Sequence, residues 1–193
     1  PFLWIILAEE IINFYFDFHF KIISYVDDIA LITMDKNINI AISNLQQMSN
    51  VVVQRCKDIL LEISPPKSTL MIFSKVIPDD VVQIRINNCN VVPSSQVKFV
   101  GFELDPKLNW KRHIEEKSKE TQRIIHYLKY CLRKSWGLNS NTLLTLYKSV
   151  FIPKLLYGCS VWCKSMKEKT SENKLITVQR TILKCITRSF KSV

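Results

Sequence analysis

The chain has 193 residues, of which 47% are hydrophobic, and it carries a formal net charge of +10 at pH 7. This length and apolar content suit one sizeable domain or two small ones. The composition excludes two classes of protein. The apolar run at residues 2–8 is too short to span a membrane, and it lacks the basic leader of a secretory signal peptide. We therefore expect no membrane partner.

Six cysteines are scattered along the chain. Since no secretory leader is seen, we expect reduced thiols in an intracellular protein, and the choice between nucleus and cytoplasm stays open. Cys159 and Cys163 lie one helical turn apart, but no histidine follows His126. A zinc site at the two cysteines therefore lacks its further ligands.

Charge is distributed unevenly between the two halves. Residues 1–106 hold 8 Lys+Arg and 12 Asp+Glu, a balance of −4, whereas residues 107–193 hold 19 and 5, a balance of +14. This asymmetry indicates a C-terminal half that binds a polyanion, joined to a region with acidic chemistry. The alternative is a basic helical face that is merely solvated.

The first predicted elements are a helix over residues 2–16 and a β-hairpin over residues 22–32. Short apolar runs rich in β-branched residues flank Asp27 and Asp28, and such runs favour strands over helices. The two aspartates are therefore predicted to lie at the tip of the hairpin.

Adjacent carboxylates in an apolar setting repel each other unless a cation offsets their charge. Hard divalent cations such as Mg²⁺ take carboxylate oxygens as ligands. Asp27 and Asp28 are therefore candidate metal ligands, and the alternative is an exposed acidic hairpin tip without a ligand.

A second helix is predicted from an N-cap at Asp35, Asn37 or Asn39 to about Leu61, with the prolines of Ser64–Pro66 ending it. Short strands follow, with Lys67 just before the first and Gly101 interrupting the last. The predicted strands are Thr69–Phe73, Val81–Ile86, Val91–Val92 and Val97–Leu104.

Beyond residue 106 the pattern is helical throughout, so the predicted fold class is α+β. The predicted helices run from Asn109 to Trp136-Gly137, from Ser140 or Asn141 to near Pro153, from Leu155 to Lys164 and from Glu172 to Arg188. The first of these helices has a basic face that includes Lys111, Arg112, Lys119 and Arg123.

Taken in order, these segments resemble the reverse transcriptases of non-LTR (LINE-like) retrotransposons. Tyr25-Val26-Asp27-Asp28 resembles the catalytic Tyr-x-Asp-Asp box of that family. Ser64–Thr69 resembles the next motif of the polymerase palm, and Val97–Asp105 resembles the primer-grip segment. Further segments resemble the thumb, namely residues 110–114, 136–138 and 146–162.

The resemblance implies a partial palm over residues 1–106, an antiparallel sheet with packed helices that includes the hairpin and the primer-grip strands. An all-helical basic thumb would follow over residues 107–193. It also implies an RNA-directed DNA polymerase that adds dNTPs to a DNA primer on an RNA template, with Mg²⁺ or Mn²⁺ as cofactor.

The same resemblance assigns roles to individual residues. Asp27 and Asp28 would be catalytic metal ligands, Lys67 would neutralise or protonate the leaving pyrophosphate, and Tyr25 would lie beneath the primer end. The remaining contacts to primer and template would come from Val100, Gly101, Lys111, Arg112, Lys119 and Arg123.

The chain also departs from the family pattern. The family supplies another metal-binding aspartate and a Gly-rich dNTP motif from sequence that would precede Pro1, and its fingers are not represented. We therefore expect a fragment of the polymerase that is inactive alone. The alternatives are a non-catalytic nucleic-acid-binding remnant and a decayed transposon product.

Overall fold

The computed structural model describes residues 2–74, 82–131, 139–165 and 169–187. The chain divides into two compact units, Pro1–Gly101 and Phe102–Val193. Helices and short antiparallel strand pairs make up the described structure, so the predicted α+β class is confirmed. The predicted domain boundary at 106/107 falls inside the second unit, and the names palm and thumb stay predictions.

Where it is described, the first unit contains two helices and five short strands, with a 3-10 turn at Pro65–Lys67. These elements are α1 (Phe2–Ile12), β1 (Phe20–Tyr25), β2 (Asp28–Thr33), α2 (Ile38–Asp58), β3 (Ile84–Ile86), β4 (Cys89–Val91) and β5 (Val97–Phe99). Strands β1 and β2 pair antiparallel from Phe20↔Thr33 to Tyr25↔Asp28, which is the hairpin that the sequence predicted.

Helix α2 packs one face against the hairpin. Its N-cap is Asn37, whose side chain accepts the Asn39 N–H, as one of the three predicted caps. The buried face includes Met48, Val52 and Cys56, which recur at helical spacing. Around Val52 and Cys56 lie Ile11 of α1 and the two hairpin residues Ile29 and Leu31.

Both helix ends in this unit differ from the prediction. Helix α1 ends at Ile12 rather than residue 16 because Arg55 donates hydrogen bonds to the carbonyls of Glu10 and Asn13, satisfying groups at the helix C-terminus. Helix α2 ends at Asp58 rather than Leu61. Leu60 has φ +60°, and the Leu61 N–H bonds back to the Cys56 carbonyl, so the helix is closed before the prolines are reached.

The predicted strand Thr69–Phe73 is wrong, because only Leu70 pairs there, in a single parallel bridge to Pro93. The predicted strand Val97–Leu104 is interrupted near Gly101 as expected. Val100 (φ +47°) and Gly101 (φ +77°) form a turn that ends β5, and a separate strand begins at Phe102.

The predicted strands around Asn87 and Asn88 are nearly right. The first is shorter than Val81–Ile86 and covers Ile84–Ile86, while Val81 lies outside the described residues. The return strand runs over Cys89–Val91 rather than Val91–Val92.

The described part of the second unit is helical apart from its first strand. Its elements are β6 (Phe102–Leu104), α3 (Lys111–Cys131), α4 (Ser140–Leu146), α5 (Ile152–Leu155), α6 (Cys159–Trp162) and α7 (Lys169–Ile186). One core gathers residues of α3, α4, α5 and α7, among them Ile125, Leu143, Val178 and Ile182. A second core surrounds Trp110, Ile114 and Trp162.

Pro153 does not stop its helix as predicted. A π-helical turn at Tyr147–Phe151 precedes it, and Pro153 then lies in the first turn of α5, where its missing N–H costs little. The N-cap of α4 is Asn139 rather than Ser140 or Asn141, because the Asn139 side chain accepts the Thr142 N–H.

The predicted helix Leu155–Lys164 is interrupted at Gly158, which has φ +62° and lies against the ring of Phe102. Leu183, predicted to lie inside α7, is 37% exposed. The predicted helix end at Trp136-Gly137 and the end of the last helix at Arg188 lie outside the described residues. Of helices α1 to α7, none is both long and apolar enough to cross a bilayer.

Candidate functional site

The β1–β2 turn presents two adjacent carboxylates to solvent. Val26 and Asp27 are the two turn residues, and Asp28 is the first residue of β2, directly opposite Tyr25. Tyr25, Asp27 and Asp28 are all exposed. The hairpin thus brings together three of the residues that the sequence assigned to the site.

The turn has an uncommon backbone. Val26 has φ +54°, which is a steric outlier for a β-branched residue, whereas Asp27 has no positive φ. A positive φ at a central residue is characteristic of the primed turns that join the strands of hairpins, where Gly, Asn or Asp usually provides it. Such a conformation persists where the surroundings hold it in place.

The donor set at the turn suits a hard cation. Within the described ranges neither Asp27 nor Asp28 makes an ion pair with a basic side chain, so both carboxylates can coordinate. Mg²⁺ is commonly bound by one or two carboxylates together with water and substrate phosphates. No cluster of three or more His, Cys, Asp and Glu side chains occurs in the described part of the chain.

In addition to the apolar packing of Ile29 and Leu31, two side-chain hydrogen bonds between described residues join the hairpin to the helices of its unit. The Thr33 hydroxyl donates to the Ala41 carbonyl of α2 at 3.0 Å. The Trp4 indole N–H of α1 donates to the carbonyl of Val26 in the turn. Trp4 could not be identified from the sequence, because a single tryptophan in an apolar helix carries no local signal of a contact 22 residues away.

The other predicted site residues of this unit lie elsewhere. Lys67 is exposed at the end of its 3-10 turn, and in the described structure it makes no hydrogen bond or ion pair with Asp27 or Asp28. Val100 and Gly101 form the turn that follows β5.

The basic residues predicted on α3 are exposed. Arg112, Lys119 and Arg123 are seven and four residues apart, and this spacing places them on one stripe of an α-helix. Lys111 is also exposed, in the first turn, where its N–H is accepted by the Asn109 side chain at 3.1 Å.

Lys119 is ion-paired with Glu116 at 2.8 Å. The hydrogen bond from Lys119 holds the pKa of Glu116 below its usual value. The same kind of contact joins Lys174 of α7 to Glu115 and lowers the pKa of Glu115. These two ion pairs offset part of the positive charge, and Arg112 and Arg123 are the less compensated cations of the stripe.

Three relatives are representative of the curated proteins similar to this chain. A Retrovirus-related Pol polyprotein from type-1 retrotransposable element R1 of Bradysia coprophila is 24% identical over 188 residues, covering 95% of this chain and 18% of the relative. A probable RNA-directed DNA polymerase from transposon BS of Drosophila melanogaster is 24% identical over 165 residues, covering 85% and 18%. The RNA-directed DNA polymerase from mobile element jockey of Drosophila melanogaster is 25% identical over 165 residues, covering 86% and 18%.

The chain therefore spans about a fifth of the length of these three relatives. No family model and no solved structure matches it.

Proposed function

Homologues of this chain are the Pol polyproteins and RNA-directed DNA polymerases of the R1, BS and jockey non-LTR retrotransposons, and from this premise we propose that it is part of such a polymerase. The resemblance stated from the motifs is thereby confirmed. The observation that carries the proposal is the adjacent pair Asp27–Asp28, presented to solvent by a two-residue turn.

In this proposal Asp27 and Asp28 hold Mg²⁺ or Mn²⁺. When bound, the metal stabilises negative charge on the attacking and leaving oxygens of phosphoryl transfer. The role of the hairpin is to hold both carboxylates on one turn. Two observations support metal binding there: both side chains are exposed, and neither has a basic partner among the described residues.

The remaining residues of the first unit would act on primer and pyrophosphate. Tyr25, which pairs with Asp28 across the hairpin, would support the primer end. Lys67 would donate a proton or positive charge to the leaving pyrophosphate, and the backbone turn Val100–Gly101 would lie against the primer terminus.

The second unit would hold the template–primer duplex. The contacts would come from the exposed basic residues of α3, namely Arg112, Arg123, Lys111 and Lys119. These side chains would bind phosphates rather than bases, and phosphate contacts carry no sequence information. Affinity would then fall with salt concentration.

We expect the isolated chain not to polymerise dNTPs. Two carboxylates on one hairpin leave much of a metal's coordination sphere to water, and a two-metal site needs further protein ligands to fix both ions.

A chimera tests the role of the aspartates. Residues 1–193 would replace the matching segment of the R1 polyprotein of Bradysia coprophila, and primer extension on an RNA template would be measured with Mg²⁺ and with Mn²⁺. We expect activity in the chimera and its loss when Asp27→Ala and Asp28→Ala are introduced, because the metal then has no carboxylate ligand on the hairpin. A chimera that stays equally active after both substitutions would show that the assigned site is wrong.

The balance of +14 in residues 107–193 favours a second candidate function, a nucleic-acid-binding protein without catalysis. Binding of an RNA–DNA duplex would then depend steeply on salt and would be unchanged by Asp27→Ala. Binding that does not respond to salt would remove this candidate.

A further inference from the structure

The strained turn and helix α1 meet at one residue. Val26 has φ +54°, a conformation that is sterically unfavourable for a β-branched residue. The carbonyl oxygen of this same residue accepts the hydrogen bond from the Trp4 indole. The only side-chain hydrogen bond that the described residues make to the turn is therefore made at its strained position.

Fixing the Val26 carbonyl has a direct geometric consequence for the neighbouring carboxylate. The carbonyl and the Asp27 N–H belong to one planar peptide unit. Holding the oxygen therefore restricts the two torsions that flank this plane, the Val26 ψ and the Asp27 φ, and the Asp27 φ sets the direction of the Asp27 Cα–Cβ bond.

Trp4 can act as a fixed donor because α1 is anchored at its other end. Ile11 is buried with Val52 and Cys56 of α2. Arg55 donates to the carbonyls of Glu10 and Asn13 at the C-terminus of α1. The helix thus runs from a packed end on α2 to the turn.

Trp4 lies on the same face of α1 as the two buried residues of that helix, Ala8 and Ile11, which follow it by four and seven residues. Its sequence neighbours Leu3 and Ile5 lie on other faces and are exposed. Trp4 itself is half-buried, and its indole N–H reaches the Val26 carbonyl. The apolar face of α1 therefore directs the indole towards the turn.

We propose that Trp4 is a positioning residue for the candidate metal site: its indole N–H holds the strained Val26 turn in the conformation that presents Asp27 and Asp28 together. This inference rests on the proposed role of the two aspartates as metal ligands. Trp4 contacts neither the metal nor the substrate and acts only through the turn.

The test measures Mn²⁺ binding to the 193-residue chain by electron paramagnetic resonance. Trp4→Phe keeps an aromatic ring and removes the donor, and we expect the Mn²⁺ Kd to rise by about two- to tenfold, the range that one hydrogen bond supplies. Leu3→Ala is the matched control on the same helix, at a side chain that is 78% exposed, and we expect no change in Kd.

A double-mutant cycle separates positioning from general loss of structure. Val26→Gly removes the steric cost of the positive φ, so the turn no longer needs the indole to hold it. We therefore compare the rise in the Mn²⁺ Kd that Trp4→Phe causes in two backgrounds. In the chain that carries Val26→Gly, we expect the fold-increase in Kd to be less than half of the fold-increase in the chain that keeps Val26. An unchanged Kd in Trp4→Phe, an equal factor in both backgrounds or an equal weakening in Leu3→Ala would overturn the proposal.

Failure of the proposed function gives a different result. If Asp27→Asn with Asp28→Asn binds Mn²⁺ as well as the unsubstituted chain, the metal assignment fails. The positioning role is then decided by the amide NMR signals of Asp27 and Asp28 in Trp4→Phe. Movement of these signals, with Leu3→Ala leaving them in place, would support it, and no movement would overturn it.

Discussion

His113 is a fully buried imidazole within a group of aromatic rings. Its ring stacks on Phe102 at 5.4 Å between centroids and lies 6.1 Å from Trp110 and 6.0 Å from Trp162. The Nδ1 atom accepts the Glu103 N–H at 3.3 Å. Burial in this cluster lowers the pKa of His113, which indicates that the folded chain holds the ring neutral.

This buried imidazole makes the stability of the second unit depend on pH. Lys117 also lowers the pKa of His113, while the Tyr157 carbonyl, Glu103 and Glu120 act in the opposite direction. Because the folded-state pKa lies below the unfolded value, the unfolded chain binds the proton first. The stabilisation is present above a pH of about 6.5 and is lost as the pH falls through the folded pKa.

We predict that the free energy of unfolding decreases from about pH 7.5 to about pH 5.5 and that His113→Phe removes most of this decrease. At the higher pH the substitution itself would cost about 1–3 kcal/mol, because it leaves the Glu103 N–H without its acceptor. Urea titrations at several pH values measure both effects.

His126→Gln, at an exposed histidine of the same helix, is the control and should keep the pH dependence. An unchanged slope in His113→Phe would contradict the assignment.

Helix α3 has one face that packs in the core of its unit and another that carries exposed basic residues. Ile114, Thr121 and Ile125 are buried against the rest of the unit, while Arg112 and Arg123 point to solvent. The helix is long enough, at 21 residues, to carry several turns of packing and a basic stripe at once. Its charges can therefore be changed without touching the core.

For this helix we predict that Arg112→Gln with Arg123→Gln weakens duplex binding and reduces the slope of log K against log salt by about 1–2, roughly 0.9 for each phosphate that is no longer neutralised. Lys119→Gln should have a smaller effect, because Lys119 already pairs with Glu116. Fluorescence anisotropy at several salt concentrations measures the slope.

Lys174→Gln is the control, at a lysine of α7 that is paired with Glu115. An equal weakening per charge in all three variants would indicate a general charge effect rather than a binding stripe.

At the scale of the whole molecule, each of the two units has cores of its own. In the first unit one core surrounds Ile11, Val52 and Cys56, and another surrounds Leu70 and Ile84. The cores of the second unit surround Ile182 and Trp162. Since apolar packing stabilises each unit, a substitution in one core should destabilise first the unit that contains that core.

We predict that Ile182→Ala destabilises the second unit by about 2–5 kcal/mol, as expected for a large-to-small change at a fully buried site. Hydrogen exchange followed by mass spectrometry should become faster in residues 102–187 and stay unchanged in residues 2–74. Val52→Ala is the reciprocal substitution and should accelerate exchange in residues 2–74. Uniform acceleration over the chain in either variant would show that the units unfold together.

Predictions from sequence succeeded where the decisive information is local. The β1–β2 hairpin and the buried face of α2 follow from the spacing of apolar residues, which backbone geometry converts directly into a strand or a helix face. The end of α1 was wrong for the opposite reason, since the cap is the side chain of Arg55, 45 residues beyond the Glu10 carbonyl that it binds. In the predicted strand Thr69–Phe73, likewise, only Leu70 pairs, with Pro93. Strand propensity alone therefore predicted a longer strand than the structure has.

The hairpin tip that carries Asp27 and Asp28 could be predicted from the short β-branched runs on either side of the pair, and the shared stripe of Arg112, Lys119 and Arg123 from the helical period. The left-handed conformation of Val26 and its support by Trp4 could not be predicted, since they depend on tertiary packing. That contact joins segments 22 residues apart, and it exists only because packing on α2 brings helix and hairpin to the same place.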